Sequence, residues 1–218
     1  VNALGADSAN YIDPDVLENY NRGVDLLKAG KARESLDFFN KAIQLNANFS
    51  KAYFNKAIAE KQLDNNEMAI KDFLTFAEKD TVPAEAYFQI AIIYYEQDKY
   101  TEALSMLDKT LKETPNDDRL TYKKGVIYYL LGDYDSAINN YTKAIEQNPD
   151  NTDALNDRAS CKRKKEDLKG AIYDYKKAVS IKPDFALAWN NLGSAQREFE
   201  AYSEAIESYN KAISLDPY

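Results

Sequence analysis

The sequence contains no histidine and a single cysteine, Cys161, among its 218 residues. Without histidine there can be no Ser-His-Asp or Cys-His catalytic pair and no imidazole metal ligand. One cysteine cannot form an internal disulfide or a thiolate zinc site. These absences exclude histidine-based catalysis and the commonest metal sites, and they leave the redox compartment open.

Positive charge and long apolar runs are also scarce. Lys and Arg number 28 against 36 Asp and Glu, a formal net charge of −8, which argues against a nucleic-acid partner. No stretch approaches the roughly 18 apolar residues of a membrane span. The first ten residues lack the basic and apolar regions of a signal peptide. We expect a soluble protein, with a cytoplasmic location favoured and an exported or periplasmic mature form left open.

Prolines reveal an internal repeat. Pro115, Pro149, Pro183 and Pro217 lie 34 residues apart, and their surroundings repeat at the same interval, as in SAINNYTKAI, GAIYDYKKAV and EAIESYNKAI. Stepping by this interval divides the chain after residue 15 into six units without insertion or deletion. The units are residues 16–49, 50–83, 84–117, 118–151, 152–185 and 186–218.

Each unit has the pattern of two helices. Positions 8 and 20 are always small, as at Gly125 and Ala137, whereas position 24 is always large, as at Tyr141. A turn signal such as Gly132 separates two runs with helical apolar spacing. The pattern predicts two antiparallel helices per unit, with a large ring facing a small residue and a proline at position 32 that ends the second helix.

This 34-residue unit resembles the tetratricopeptide repeat, and the resemblance covers residues 16–218. It implies an all-α fold, a right-handed α-solenoid (superhelix) of antiparallel helix pairs, with residues 16–218 as a single solenoid and residues 1–15 as an N-terminal arm and cap. Phe76 and Thr110 depart from the small residue expected at position 27, and the first two units lack the proline. The resemblance also implies a non-catalytic protein–protein interaction scaffold without a cofactor.

The family binds its ligands on a concave groove lined by positions 2, 5, 6, 9, 12 and 13 of each first helix. Here positions 5 and 9 are aromatic or aliphatic in the first four units and become Asn and Ser in the last two. An uncovered apolar column of this kind indicates a binding surface, although packing of the position 5 rings in the core explains them equally well. We predict a peptide-binding groove, mainly in repeats 1 to 4, lined by Tyr20, Asn21, Val24, Phe54, Asn55, Ile58, Phe88, Gln89, Ile92, Tyr95, Arg119, Tyr122, Lys123, Val126 and Tyr129.

Other family sites match less well. Arg119 and Lys123 supply two cations of the carboxylate clamp that grips Hsp70 and Hsp90 tails, but Phe54 and Ile58 replace its first pair, so we expect no binding of that type. A ligand-binding asparagine ladder at position 6 is matched only in part. The basic run at 162–165 is explained by the helix dipole and is the runner-up surface, for an acidic protein patch or an anionic lipid face.

Two alternatives to a peptide-binding scaffold follow from the last repeat. Ala205, Tyr209 and Ala212 stand where earlier repeats meet a following unit. The chain is then either a self-assembling structural scaffold, a homo-oligomer formed through its repeat ends, or the interaction module of a larger protein. We further expect Asp13 and Pro14 to cap and begin the first helix, and Cys161 to be a small buried thiol.

Overall fold

The computed structural model describes residues 12–217, which form twelve α-helices and no strand. Residues 1–11, which make up most of the expected N-terminal arm, lie outside the described residues. The helices divide into two compact units, one ending at Glu113 and the other beginning at Thr114. Each unit consists of three helix pairs, which confirms the all-α solenoid of helix pairs. That residues 16–218 form a single solenoid stays a prediction.

The helix bounds follow the 34-residue period. The first unit contains α1 (Pro14–Lys28), α2 (Ala32–Leu45), α3 (Ser50–Gln62), α4 (Asn66–Lys79), α5 (Ala84–Glu96) and α6 (Tyr100–Glu113). The second unit contains α7 (Asp118–Leu130), α8 (Tyr134–Gln147), α9 (Thr152–Lys164), α10 (Leu168–Ile181), α11 (Ala186–Glu198) and α12 (Tyr202–Leu215). The odd-numbered helices are the first helices of the repeats and the even-numbered ones are the second helices.

The turn inside every repeat has the same backbone conformation. Its middle residue, position 15 of the repeat, lies in the left-handed region in all six copies. Two copies use glycine there, Gly30 with φ 75° and Gly132 with φ 76°, because glycine has no Cβ to clash in this conformation. The remaining four copies place an acidic side chain at this position, namely Asp64, Asp98, Glu166 and Glu200.

The helix ends are those expected from the sequence. The Asp13 carboxylate accepts a hydrogen bond of 2.8 Å from the backbone N–H of Asp15, and Pro14 occupies the first turn, which confirms the predicted cap. The four prolines at position 32 each stand two residues beyond the end of a second helix. Proline disfavours helical backbone in the residue before it, so each repeat ends at the same place.

Large rings of the second helices pack on small residues of the first helices. A Cβ added at Gly125 would lie 2.5 Å from Cε1 of Tyr141, and one added at Gly23 would lie 2.7 Å from Cε1 of Phe39. Both rings are fully buried. The small residue at position 8 is therefore required by the ring at position 24, as the pattern predicted. Cys161 is also buried, and burial raises the pKa of its thiol to about 12.

The joint between the second and third repeats is built differently. Phe76 stands in place of the usual small residue, is buried, and lies 5.1 Å from the ring of Phe54 between centroids. The linker to α5 is held by Asp80, whose carboxylate accepts from the Ser50 hydroxyl at 2.7 Å and from the backbone N–H of Val82 at 3.1 Å. Within the described residues, no helix is long and apolar enough to cross a membrane.

Candidate functional site

The first helices of neighbouring repeats lie side by side within each unit. In the first unit α1 contacts α3, and in the second unit α7 contacts α9 and α9 contacts α11. The predicted groove residues stand on these helices. We use the term first-helix surface for the face formed by positions 2, 5, 6, 9, 12 and 13 of α1, α3 and α5 in one unit, and of α7, α9 and α11 in the other.

The aromatic rings at position 5 of the first-helix surface also pack in the hydrophobic core. Tyr20, Phe54 and Tyr122 are half-buried and pack on the position 24 ring of their own repeat, with centroid distances of 6.2, 5.3 and 5.6 Å respectively. Phe88 is half-buried as well. Each ring therefore packs in the core and leaves part of its surface exposed, and its contact with a ligand stays a prediction.

Polar side chains join successive first helices in a fixed register. The amide of Asn55 donates to the Tyr20 hydroxyl at 3.1 Å, and the amide of Asn191 donates to Asn156 Oδ1 at 3.0 Å. The Tyr122 hydroxyl donates to the Asp157 carboxylate at 2.8 Å. All three bonds join position 5 of one repeat to position 6 of the next. In these three places the residue at position 6 therefore connects neighbouring repeats.

The remaining predicted residues fall into two groups. Half-buried members are Val24, Ile58, Gln89, Ile92, Val126 and Tyr129. Exposed members are Asn21, Tyr95, Arg119 and Lys123. The Arg119 guanidinium pairs with Asp117 at 2.7 Å and, through hydrogen bonds to that carboxylate, lowers its pKa. The Gln89 side chain is held between Lys61 at 3.2 Å and Glu85 at 2.8 Å.

The first unit has a cavity of about 280 Å³ where α3, the end of α4 and the start of α5 meet. Two predicted residues, Phe54 and Asn55, line it, together with Phe76 and Val82. Lys51, Asp80 and Glu85 supply charges at the same cavity. Val82 is 67% exposed, so an apolar side chain stands uncovered at the cavity. The arrangement suits an apolar side chain flanked by polar groups.

The second unit has a larger cavity, of about 440 Å³, between α7, α9 and α11. Val126 and Tyr129, both predicted, form part of its lining, and Leu187 adds another apolar side chain. The α9 part of the lining is polar and includes Asp157 and Arg163. This cavity therefore combines apolar, anionic and cationic groups, as the cavity of the first unit does.

Sequence reasoning missed several lining residues. Phe76 and Val82 lie outside the predicted columns, whereas Asp157 of repeat 5 and Leu187 of repeat 6 stand in those columns but beyond the predicted repeats 1 to 4. Signals for two of them were present. The large residue at position 27 of repeat 2 indicated an unusual joint, and the change to polar residues at positions 5 and 9 of repeat 5 indicated a polar surface.

The basic run at 162–165 is largely paired within its own unit. Lys162 pairs with Asp174 at 2.7 Å, Arg163 lies 3.6 Å from Glu198, and Lys165 pairs with Asp135. These ion pairs add to the favourable position of the cations at the C-terminal end of α9. The structure thus accounts for most of the run without an external partner.

Comparison with known proteins decides the family. Models described as "tetratricopeptide repeat" match residues 84–117, 120–151 and 186–218, and a model described as "TPR repeat" matches residues 162–198. Together the matches cover more than half of the chain. The chain belongs to the tetratricopeptide repeat family. Tetratricopeptide repeats form protein–protein interaction scaffolds, which confirms the predicted scaffold role, and proteins of this family are generally non-catalytic.

The chain is similar to individual proteins in sequence and in structure. The chain is similar to an uncharacterized protein of Methanocaldococcus jannaschii, with 41% identity over 54 residues, which are 25% of this chain and 63% of that protein. It is also similar to the crystal structure of YrrB, described as a TPR protein with an unusual peptide-binding site. The TM-score is 0.68, with 26% identity over 82% of this chain and 92% of that one.

A further solved structure matches the tetratricopeptide fold over nearly the whole chain. It is the C-terminal part of a repeat-containing protein from Cytophaga hutchinsonii, with a TM-score of 0.80 and 20% identity, and the match covers 96% of this chain and 85% of that one. At this identity the likeness concerns the fold alone.

Proposed function

We propose that this protein binds a peptide or protein segment through the first-helix surface of repeats 1 to 4, and that each unit contributes its own part of the contact. The observation that carries the proposal is the cavity of the first unit, because the predicted residues Phe54 and Asn55 line it beside the exposed Val82. An uncovered apolar site with polar groups around it is typical of ligand pockets. The peptide-binding site described for YrrB supports the same class of ligand.

In this proposal an apolar side chain of the ligand packs on Phe54, Phe76 and Val82. Burial of one such side chain contributes about 1.5 to 3 kcal/mol before the costs of association. Asn55 donates both of its amide hydrogens inside the protein, to the Tyr20 hydroxyl and to the Lys51 carbonyl, each at 3.1 Å. Its carbonyl oxygen is the atom that we propose accepts a backbone N–H of the ligand.

The partner that we propose is not a chaperone tail held by a carboxylate clamp. Phe54 and Ile58 stand where that clamp needs a lysine and an asparagine, and Phe54 packs on Phe73 and Phe76. An apolar pair at this place favours an apolar ligand side chain over a carboxylate, since burial of an unpaired charge is costly.

A peptide selection tests the proposal. Random 12-residue peptides displayed on phage are selected against the full chain, and the selected peptides are titrated against the protein and against Val82→Glu. The exposed Val82 can change without loss of the core, and a charge there should weaken binding at least about tenfold, since one desolvated carboxylate costs more than 1.4 kcal/mol.

Met68→Glu is the matched control, because Met68 is 50% exposed on α4 and is not among the residues that line the cavity. It should leave the affinity unchanged. Peptides that bind Val82→Glu as tightly as the original protein would contradict the placement of the ligand, and failure of every selected peptide to bind would contradict the function itself.

Self-association is the second candidate, and one observation favours it. Ile206 and Ile213 on α12 are 61% and 60% exposed. The residue equivalent to Ile213 in the preceding repeat, Val179, is buried, and α10 there is covered by α11. Sedimentation of Ile206→Glu and the unchanged chain over a range of concentrations tests this. A concentration-dependent dimer that the substitution removes supports it, and a strict monomer contradicts it.

A further inference from the structure

The cavity of the second unit contains a carboxylate with only neutral hydrogen-bond donors. Asp157 accepts from the Tyr122 hydroxyl at 2.8 Å through one oxygen and from the Asn156 amide at 3.0 Å through the other. No lysine or arginine of the described residues forms an ion pair with it, and the charged neighbour that acts on it, Asp153, is also negative. A charge placed in a recessed site normally has a compensating partner.

Burial affects the pKa of the Asp157 carboxyl in the direction expected for a recessed carboxylate. Desolvation raises the pKa of the Asp157 carboxyl, while the hydrogen bonds from Tyr122 and Asn156 lower it, and the net direction is upward. The two donors fix the position of the carboxylate at the cavity. A cation that entered would therefore meet an acceptor whose orientation is already set, which reduces the entropy cost of binding.

The cationic part of the cavity lies at the other end of α9, where Arg163 and the exposed Lys164 both line it. Asp157 and Arg163 are six residues apart, which corresponds to about 9 Å along a helix axis. Arg163 already lies 3.6 Å from Glu198 on α11. A positive group at Asp157 is therefore separated from Arg163 by more than one helical turn, and the two ends of the cavity differ in sign.

We propose that the cavity of the second unit takes a lysine or arginine side chain of the bound segment, with its cationic group on Asp157 and its aliphatic stem against Val126 and Tyr129. This rests on the proposed function, because the ligand is the same peptide or protein segment. Long basic side chains combine an apolar stem with a charged end, which matches a cavity with apolar walls and a recessed carboxylate. The net charge of −8 further attracts basic segments.

Matched peptide probes test the charge requirement on the unchanged protein. Fluorescein-labelled 12-residue peptides composed of Leu, Ser and Gly carry one central residue, which is Lys, acetyl-lysine or Glu. Fluorescence anisotropy should show the Lys peptide binding about tenfold more tightly than the acetyl-lysine peptide, and the Glu peptide binding most weakly. Raising the salt concentration should reduce the difference between Lys and acetyl-lysine. Equal affinity for these two probes would overturn the inference.

Substitution then locates the contact. Asp157→Asn should reduce the preference for Lys over acetyl-lysine to less than about twofold, whereas Asp184→Asn, the same charge change at an exposed residue outside the cavity, should retain it. A thermal unfolding measurement verifies that the Asp157→Asn variant is folded. The comparison of the Lys and acetyl-lysine peptides uses the unchanged protein and does not depend on this variant. A preference that persists in Asp157→Asn would overturn the assignment.

The two proposals fail in different ways. Loss of binding in Val82→Glu together with no preference for Lys would retain the proposed function and reject the role of Asp157. Absence of binding by every selected peptide and every probe would reject both.

Discussion

Repeats 2 and 5 bury a charged cluster at the same three positions, 7, 11 and 23, but with opposite composition. Repeat 2 has one cation and two carboxylates, Lys56, Glu60 and Asp72. Repeat 5 has two cations and one carboxylate, which are Arg158, Lys162 and Asp174. Repeat 3 has the uncharged residues Ile90, Tyr94 and Met106 at these positions. The same helix pair therefore accepts either sign of charge or none.

The two clusters also differ in how their carboxylates are hydrogen-bonded. In repeat 5 the Arg158 guanidinium donates to both oxygens of the fully buried Asp174, at 2.8 and 2.7 Å, and Lys162 donates at 2.7 Å. Arg158 also donates to the Thr142 hydroxyl of the preceding repeat at 3.1 Å. One carboxylate thus satisfies two cations, and the cluster joins two repeats.

In repeat 2 a single ammonium group serves two carboxylates unequally. Lys56 Nζ lies 2.8 Å from Asp72 and 3.6 Å from Glu60, and Glu60 Oε2 is buried without a hydrogen-bond partner. Desolvation, followed by repulsion from Asp72, raises the pKa of the Glu60 carboxyl to about 7. For Lys56, burial lowers the pKa, but the two carboxylates outweigh it and the net direction is upward. Surplus carboxylate in repeat 2 is relieved by binding a proton, whereas the Arg158 guanidinium in repeat 5 stays charged.

The largest change in the free energy of unfolding should come from substitution of the aspartate at position 23. Asp174→Asn leaves two buried cations without their carboxylate, and loss of one member of a buried ion pair costs about 3 to 5 kcal/mol. Asp72→Asn in repeat 2 removes one of two competing carboxylates and should change the free energy of unfolding by less than about 1 kcal/mol at pH 8. Urea unfolding followed by circular dichroism measures both. Equal costs would show that the sign of the surplus charge does not affect the stability of these clusters.

The next largest change in stability should come from substitution of the cations in the two clusters. Lys56→Met removes the only cation of its cluster and should cost about 2 to 3 kcal/mol at pH 8, less than a fully trapped charge because a carboxyl can take up a proton. Lys162→Met leaves the Arg158 pair with Asp174 intact and should be nearly neutral. The same unfolding measurement, repeated at pH 5, should show the cost of Lys56→Met decreasing. A cost for Lys162→Met as large as that for Lys56→Met would contradict this ranking.

The repeat frame could be predicted from the sequence because it follows from size and backbone constraints that act within a single unit. The small residue at position 8 and the ring at position 24 reflect a contact inside one repeat, and proline at position 32 reflects a backbone restriction. Their period therefore gives the helix bounds directly. The buried clusters could not be predicted in this way. Lys56 and Asp72 look like ordinary helix surface residues, and only their packing between two helices makes them a pair.

The candidate site was predictable only in part, for a related reason. Position 5 of each first helix was predicted to face either the groove or the core, and the structure packs Tyr20 and Phe54 on core rings while part of each ring stays exposed. The cavity at Val82 depends on how the chain passes from α4 to α5, where the sequence signal was a missing proline. Asp157 lies beyond the predicted repeats 1 to 4, and its cavity is formed by helices that are distant in sequence, so the sequence did not indicate this site.

Protonation of Glu60 in repeat 2 should make the stability of the protein depend on pH, with a smaller change in stability than the substitutions above. The pKa of Glu60 is raised on folding, so the folded state binds a proton that the unfolded state releases between the ordinary pKa and pH 7. Stability is therefore lost as the pH rises through this window. Glu60→Gln should stabilise the protein by about 1 to 3 kcal/mol at pH 8, and the gain should vanish near pH 4. Glu207→Gln, at an exposed residue of α12, is the control and should show no such pH dependence.

The smallest change in stability should come from substitutions in the turns of the same two repeats, at position 15. Glu166 has φ 64° and Asp64 has φ 59°, a region that costs an ordinary residue about 1 to 2 kcal/mol and aspartate less. Glycine removes this cost but adds about 0.5 to 1 kcal/mol of chain entropy. Glu166→Gly should therefore stabilise by about 0.5 kcal/mol, and Asp64→Gly should be close to neutral. Glu166→Ala retains the strain and should gain nothing in the same thermal unfolding measurement. A loss of stability in Glu166→Gly would mean that the Glu166 side chain contributes more than its backbone strain costs.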